Sequence, residues 1–130
     1  MPEMEKMIPG LVIVGLILAI LVGCGFGPSS SGLDVSAAET LRLWQNKEAI
    51  VIDVRTPAEY LEGHIPDVAN IPLDELEKRM GEVPRDKEVV LICHSGNRSM
   101  QGTRLLRSKG FDNVFSSAGG MSAWKGPITK

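Results

Sequence analysis

The stretch "KEVVLICHSGNRSMQGTRLLRSKG", residues 87–110, does most to fix what this chain folds into. Val89 to Ile92 are aliphatic without a break, the pattern of a strand covered on both faces, as in a parallel sheet. Arg98 to Lys109 then reads as a helix closed by Gly110. Between the two lie only Cys93 and the turn-prone His94, Ser95, Gly96 and Asn97. A buried strand running through a short loop into a helix is one unit of an α/β fold, in which helices flank a mostly parallel sheet. Ligands of such sheets sit beyond the carboxyl ends of the strands, and the sequence places Cys93 at that edge.

The same alternation continues on either side. Ser36 and Glu39 form a capping box ahead of a helix from about Ala37 to Asn46, and "AIVIDV" reads as another buried strand ending at Asp53. Thr56 as N-cap, Pro57 at the first helical position and Gly63 as the stop outline a short helix. "VANIPL" reads as a short strand cut off by Pro72. In "LDELEKRMGEV", Leu73, Leu76 and Met80 share one face with Glu77 opposite, which predicts an amphipathic helix. "NVFSSA" is read as a last strand, "MSAWK" as a last short helix and "GLDV" as a short edge strand before Ser36. No internal repeat is visible.

The loop after the central strand has consequences for a thiol. Its backbone N–H groups are expected to curl inward as an anion nest, the following helix offers its positive end, and Arg98 adds a full charge. All three favour the thiolate, and a cysteine so placed has its pKa lowered from about 8.5 to roughly 3.5–7.5. Thiolate is the nucleophile, and exposed at the sheet edge it is also expected to oxidise readily. A cysteine ending a strand often serves only as a small core hydrophobe, but that role does not require a glycine-bearing loop and an arginine. "CHSGNR" spans six residues, CxxxxR, one fewer than the CxxxxxR loop of cysteine phosphatases, and Ile92 stands where those proteins carry histidine. A phosphoryl group with three equatorial oxygens needs the larger ring of donors, whereas a single sulfur on the cysteine fits the smaller one. The count favours attack on sulfur.

The N-terminus has a different character. Leu11 to Val22 is an apolar run of twelve residues interrupted only by Gly15, the length of a signal-peptide core but short of the roughly 20 residues of a membrane span. "LVGC", Leu21 to Cys24, resembles the bacterial lipobox, which makes Cys24 a lipid attachment site by that resemblance. Against it, "MPEMEK" sets Glu3 and Glu5 against Lys6, where an export signal begins with net positive charge, so an uncleaved helix from Met7 to about Cys24 is the alternative. Residues 1–24 are therefore read as a signal or membrane anchor with the domain facing out of the cytoplasm, and residues 25–32 as a Gly, Ser and Pro-containing tether.

Three segments, "IDVRTPAEYLEGHIPDVANIPL", "CHSGNRS" and "AGGMSAW", resemble the single-domain rhodaneses, which are thiosulfate sulfurtransferase-like modules, over about Leu33 to Gly126. The matching positions are Asp53, Arg55, Glu59, Gly63, His64, Ala69, Asn70 and Pro72, then the cysteine loop, then Gly119, Gly120 and Trp124. The resemblance implies a rhodanese-like fold over residues 33–127 and a persulfide on a catalytic Cys93, cradled by the backbone of His94, Ser95, Gly96, Asn97 and Arg98. It implies a donor such as thiosulfate, a thiol or cyanide-like acceptor with protein thiols among them, and neither metal nor organic cofactor. The remaining motif residues are read as structural. Arg55 and Glu59, four apart, are expected to pair or cap the turn, and Asp53 to bond loop amides. His64 is expected to be packed and hydrogen-bonded instead of ligating zinc with His94 and Cys93, and Trp124 to anchor the last helix in the core. His94 stands where the family often carries a basic residue, which weakens the expected hold on an anionic donor.

Two other functions compete. A non-catalytic rhodanese-like interaction module is disfavoured by the presence of both Cys93 and Arg98, and a cysteine phosphatase or arsenate-reductase-like enzyme by loop length. With 14 basic and 16 acidic side chains mixed along 130 residues, there is no polybasic stripe, which argues against a nucleic-acid partner.

Overall fold

In the computed structural model, which describes residues 32–130, five parallel strands form one sheet in the order β1-β5-β4-β2-β3. The strands are β1 (Asp34–Val35), β2 (Ala49–Asp53), β3 (Ala69–Asn70), β4 (Glu88–Ile92) and β5 (Val114–Ser117). Between them run α1 (Ala37–Gln45), α2 (Pro57–Glu62), α3 (Leu73–Leu76), a 3-10 turn at Met80–Glu82, α4 (Asn97–Ser108) and, after β5, α5 (Gly120–Ala123). This is the rhodanese-like α/β architecture expected. The anchor, the lipid site at Cys24 and all of the tether before Gly32 lie outside the described residues. Among the described residues no helix is long and apolar enough to cross a membrane.

The unbroken aliphatic run of β4 has a direct cause. Val89 and Leu91 point into one core with Leu76, Leu106 and Phe111, while Val90 and Ile92 point into the other with Leu43, Ile65 and Trp124. Both faces are dry, and each fully buried aliphatic side chain there is worth about 1.5–3 kcal/mol. β4 lies between β2 and β5, so its carboxyl end, and Cys93 with it, is held from both sides.

Three elements differ from the sequence reading. The amphipathic helix expected through Met80 stops at Leu76 and gives way to a turn and the 3-10 segment. Gly81 disfavours helix there and Pro84 forces Val83 to extended backbone, yet Leu73, Leu76 and Met80 still meet the core. β3 is only two residues long, because Pro72 has no N–H to extend the ladder beyond the bond from Ile71 N to Asp53 O (2.9 Å). α5 begins at Gly120 instead of within "MSAWK", since Gly119 (φ 78°) and Gly120 (φ 54°) turn the chain sharply before it.

Candidate active site

The first motif builds a rigid shoulder beside the sheet edge. Asp53, at the end of β2, accepts from the backbone N–H of Arg55 (2.9 Å) and from its guanidinium (2.8–3.1 Å), and both side chains are buried. Arg55 also donates to the Gly63 carbonyl (2.8 Å), closing the turn around α2. Asn70 donates to the carbonyls of Asp53 and Arg55 (3.0 Å each), which fastens β3 to the same turn. Of the pair or cap expected of Arg55 and Glu59, the ion pair does not form while the cap does: Arg55 is taken by Asp53 two residues back, and Glu59 bonds Thr56 and Arg98.

Glu59 completes a capping box with Thr56, and its carboxylate also grips Arg98 in two bonds of 2.7 and 3.0 Å. Arg98 first, and Thr56 after it, hold the Glu59 carboxyl down at about 2 despite partial burial. The end of the cysteine loop is thereby tied to α2 across 39 residues of sequence. Arg98, expected to add a full charge that favours the thiolate, is engaged first by Glu59, and the Cys93 sulfur contributes less to holding it charged.

His64 packs on α2. Its ring stacks on Tyr60 with centroids 3.7 Å apart, its Nδ1 is 2.8 Å from the Tyr60 carbonyl, and its backbone bridges Thr129. That is the packed, hydrogen-bonded histidine expected. Trp124 is buried, donates to the Pro127 carbonyl (3.0 Å) and meets Trp44 edge-on at 5.7 Å, so it anchors the closing segment.

Cys93 itself has 0 % of its surface exposed. The exposed, readily oxidised thiol of the sequence reading is thus corrected: Cys93 is fully buried, with loop and helix N–H groups on its sulfur. Sγ accepts from the N–H groups of Gly96 (3.1 Å) and Ser99 (3.3 Å), with Ser99 Oγ at 3.6 Å. Burial pushes the thiol up, but the Ser99 hydroxyl and the N–H groups of Ser99, Gly96 and Ser95 outweigh it and bring the thiol below its ordinary value. His94, Ser95 and Asn97 hold their side chains in solvent. Gly96 takes φ 105°, a left-handed conformation that a residue with a Cβ rarely adopts, and this turns its N–H onto the sulfur.

The outer wall of the loop is fixed from α5. Met121 N donates to the Cys93 carbonyl (2.7 Å) and Ser122 N to the His94 carbonyl (3.0 Å), so these carbonyls face α5 while N–H groups are left for the sulfur. A Cβ on Gly120 would stand 2.3 Å from the Cys93 oxygen, which explains the glycine there. On the inner side, Ser99 Oγ pairs with Ser116 Oγ of β5 at 2.7 Å, both buried. The sequence reading assigned neither hydroxyl. Ser99 was within reach, as the last residue of "CHSGNRS", but Ser116 is distant in sequence and only the β4–β5 pairing brings it in.

A groove of about 310 Å³ lies on the Arg98 side of the loop, lined by Val54, Thr56, Pro72, Leu73, Asp74 and Arg98. Among the described residues no group of three or more His, Cys, Asp and Glu is placed to hold a metal.

A parallel sheet that presents a sulfur-cradling loop of six residues at the carboxyl end of its central strand defines a rhodanese-like domain. Residues 36–127 match the rhodanese family, described as the rhodanese-like domain, and the chain belongs to that family. A protein named sulfurtransferase from Allochromatium vinosum is 40 % identical over 83 residues, 64 % of this chain and 78 % of that one. The thiosulfate sulfurtransferase of Pseudoalteromonas translucida is 31 % identical over 91 residues, covering 70 % of this chain and 87 % of its own. A crystal structure of a rhodanese-related protein from Thermoplasma volcanium superposes with a TM-score of 0.67 at 34 % identity, over 75 % of this chain and 97 % of that one. These relatives support a sulfurtransferase-family role.

Proposed function

We propose that this protein carries sulfane sulfur as a persulfide on Cys93, taking it from a donor such as thiosulfate and passing it to a thiophilic acceptor. The observation that carries the reading is the convergence on Sγ of the Gly96 and Ser99 N–H groups at the end of a central strand, with Ser99 Oγ accepting from the thiol. Those donors stabilise negative charge on sulfur, first on the attacking thiolate and then on the persulfide. The thiolate attacks the outer sulfur of thiosulfate, a new S–S bond forms, and the old S–S bond breaks with its electron pair leaving on sulfite. An acceptor nucleophile, a thiolate or cyanide, then attacks the outer sulfur of the persulfide, and the Cys93 thiolate is regenerated. The test is turnover with thiosulfate and cyanide: thiocyanate is expected from the wild type and none above background from Cys93→Ser. Equal rates in the two proteins would end the proposal.

A further inference from the structure

Both outer edges of the sheet are short, and only one of them is closed by the chain's own side chains. β1 and β3 are two residues long, so each leaves part of the strand beside it without a neighbour. On the β1 side, Ser116 N donates to the Leu33 carbonyl and Ala118 N to the Val35 carbonyl (2.8 Å each), so Val114, two residues earlier, also turns its backbone outward. Arg107 closes the edge there. Its Nε donates to the Val114 carbonyl (2.9 Å), and its guanidinium lies 4.7 Å from the centre of the Phe115 ring. On the other side, β2 pairs β4 along Ala49–Asp53 but pairs β3 only at Ile52 and Asp53. The Asp53 carbonyl accepts from Ile71 N on that side. By the same alternation the N–H groups of Ala49 and Val51 and the Ala49 carbonyl face the β3 side, ahead of Ala69, its first residue. Asp67, with φ 62°, does not continue an extended strand back along them.

A groove of about 690 Å³ follows this open edge, lined by residues 49–51 and 67–69, with Trp44, Lys47 and Lys87 among its other lining residues. Ile50 shares the face of Ile52 yet is 38 % exposed, while Trp44 packs with Ala49 and Val51 on the opposite face. Lys47 and Lys87 are exposed and, among the described residues, neither has an ion-pair partner, while Asp67 is the one acid in the lining. We propose that this edge docks an extended segment of a partner protein, which adds a strand beside β2 and turns an acidic side chain toward Lys47 and Lys87. Open backbone along Ala49–Val51 calls for an extended chain. The side chains of such a chain alternate between Ile50 on one face and Trp44 on the other. Two lysines against one carboxylate leave positive charge for an acid to meet. Lys87 leads into β4 and Cys93 follows it, so the edge lies at the end of the sheet opposite the cysteine, and docking there does not depend on sulfur chemistry.

The test is a display selection of random linear peptides on the immobilised full chain, with the enriched peptides remade and titrated by fluorescence anisotropy. They are expected to alternate apolar and polar residues beside an Asp or Glu. Ile50→Lys is expected to weaken their binding about tenfold. Lys47→Glu combined with Lys87→Glu should weaken it by a similar factor and flatten its dependence on salt. All three positions are exposed, so the variants should keep the wild-type urea midpoint, which is measured alongside. N-methylation of the peptide at alternate amides removes its donors without touching the protein and should abolish binding, whereas methylation of the intervening amides should leave it. A selection that enriches nothing, binding unmoved by Ile50→Lys, or equal effects of methylation at every amide overturns the proposal. So does a full chain that self-associates through this edge and dissociates in Ile50→Lys, which would give the edge to a second copy.

Discussion

The sulfur of Cys93 is governed by small groups acting at short range. Ser99 supplies both an N–H and a hydroxyl, and Ser116 supports that hydroxyl at 2.7 Å. In the thiol form Sγ donates to Ser99 Oγ, whose own proton goes to the Gly96 carbonyl (3.2 Å), so on ionisation Ser99 is expected to turn that proton toward Sγ while Ser116 donates to Ser99. Removing either oxygen should therefore make the thiolate harder to form. Ser99→Ala and Ser116→Ala are predicted to move the midpoint of Cys93 alkylation against pH upward, Ser99→Ala by more, and Ser116→Thr to restore it. A merely structural role would lower stability by about 1 kcal/mol and leave the midpoint in place. From the sequence, Cys93 and its loop were legible because strand, turn and helix signals abut there. The partners of Arg98 and Arg55 were not, because either arginine had acids within reach and only the folded turn decides which one it meets.

At the scale of elements, the loop is a part clamped from outside. α5 holds the Cys93 and His94 carbonyls, and β5 holds Ser99 through Ser116. Gly120→Ala places a methyl group 2.3 Å from the Cys93 oxygen at a φ of 54°. It is predicted to lower stability by roughly 2 kcal/mol or more and to reduce sulfur loading at Cys93 beyond the loss of folded protein, both measurable by chemical denaturation and mass spectrometry. Helices with caps at both ends, such as α2, were readable because capping chemistry is local. α3 was not, because its apolar spacing fits a longer helix, and the glycine and proline beyond it won.

Across the whole molecule, the Glu59–Arg98 pair joins the shoulder built on β2 to the loop built on β4. Glu59 is held near 2 in the fold and near its ordinary 4.5 when unfolded, so its contribution is fully present above about 4.5 and is lost as pH falls toward 2. With both side chains about a third exposed, screening leaves about 1 kcal/mol. Urea midpoints of the wild type should therefore fall between pH 5 and 2 by more than those of Glu59→Gln. Parity between the two would show the pair to be energetically silent. The two-core arrangement was readable from the aliphatic strands, since only a sheet buried on both faces asks for Val89 to Ile92 in succession.

The most direct test of sulfur chemistry at Cys93 is the intact mass of the full chain, reduced, exposed to a sulfane donor, desalted and then offered an acceptor thiol. The prediction is one added sulfur, mapped to Cys93, absent from Cys93→Ser and gone after the acceptor is added. A chain that stays unmodified, or gains its sulfur away from Cys93, would contradict it.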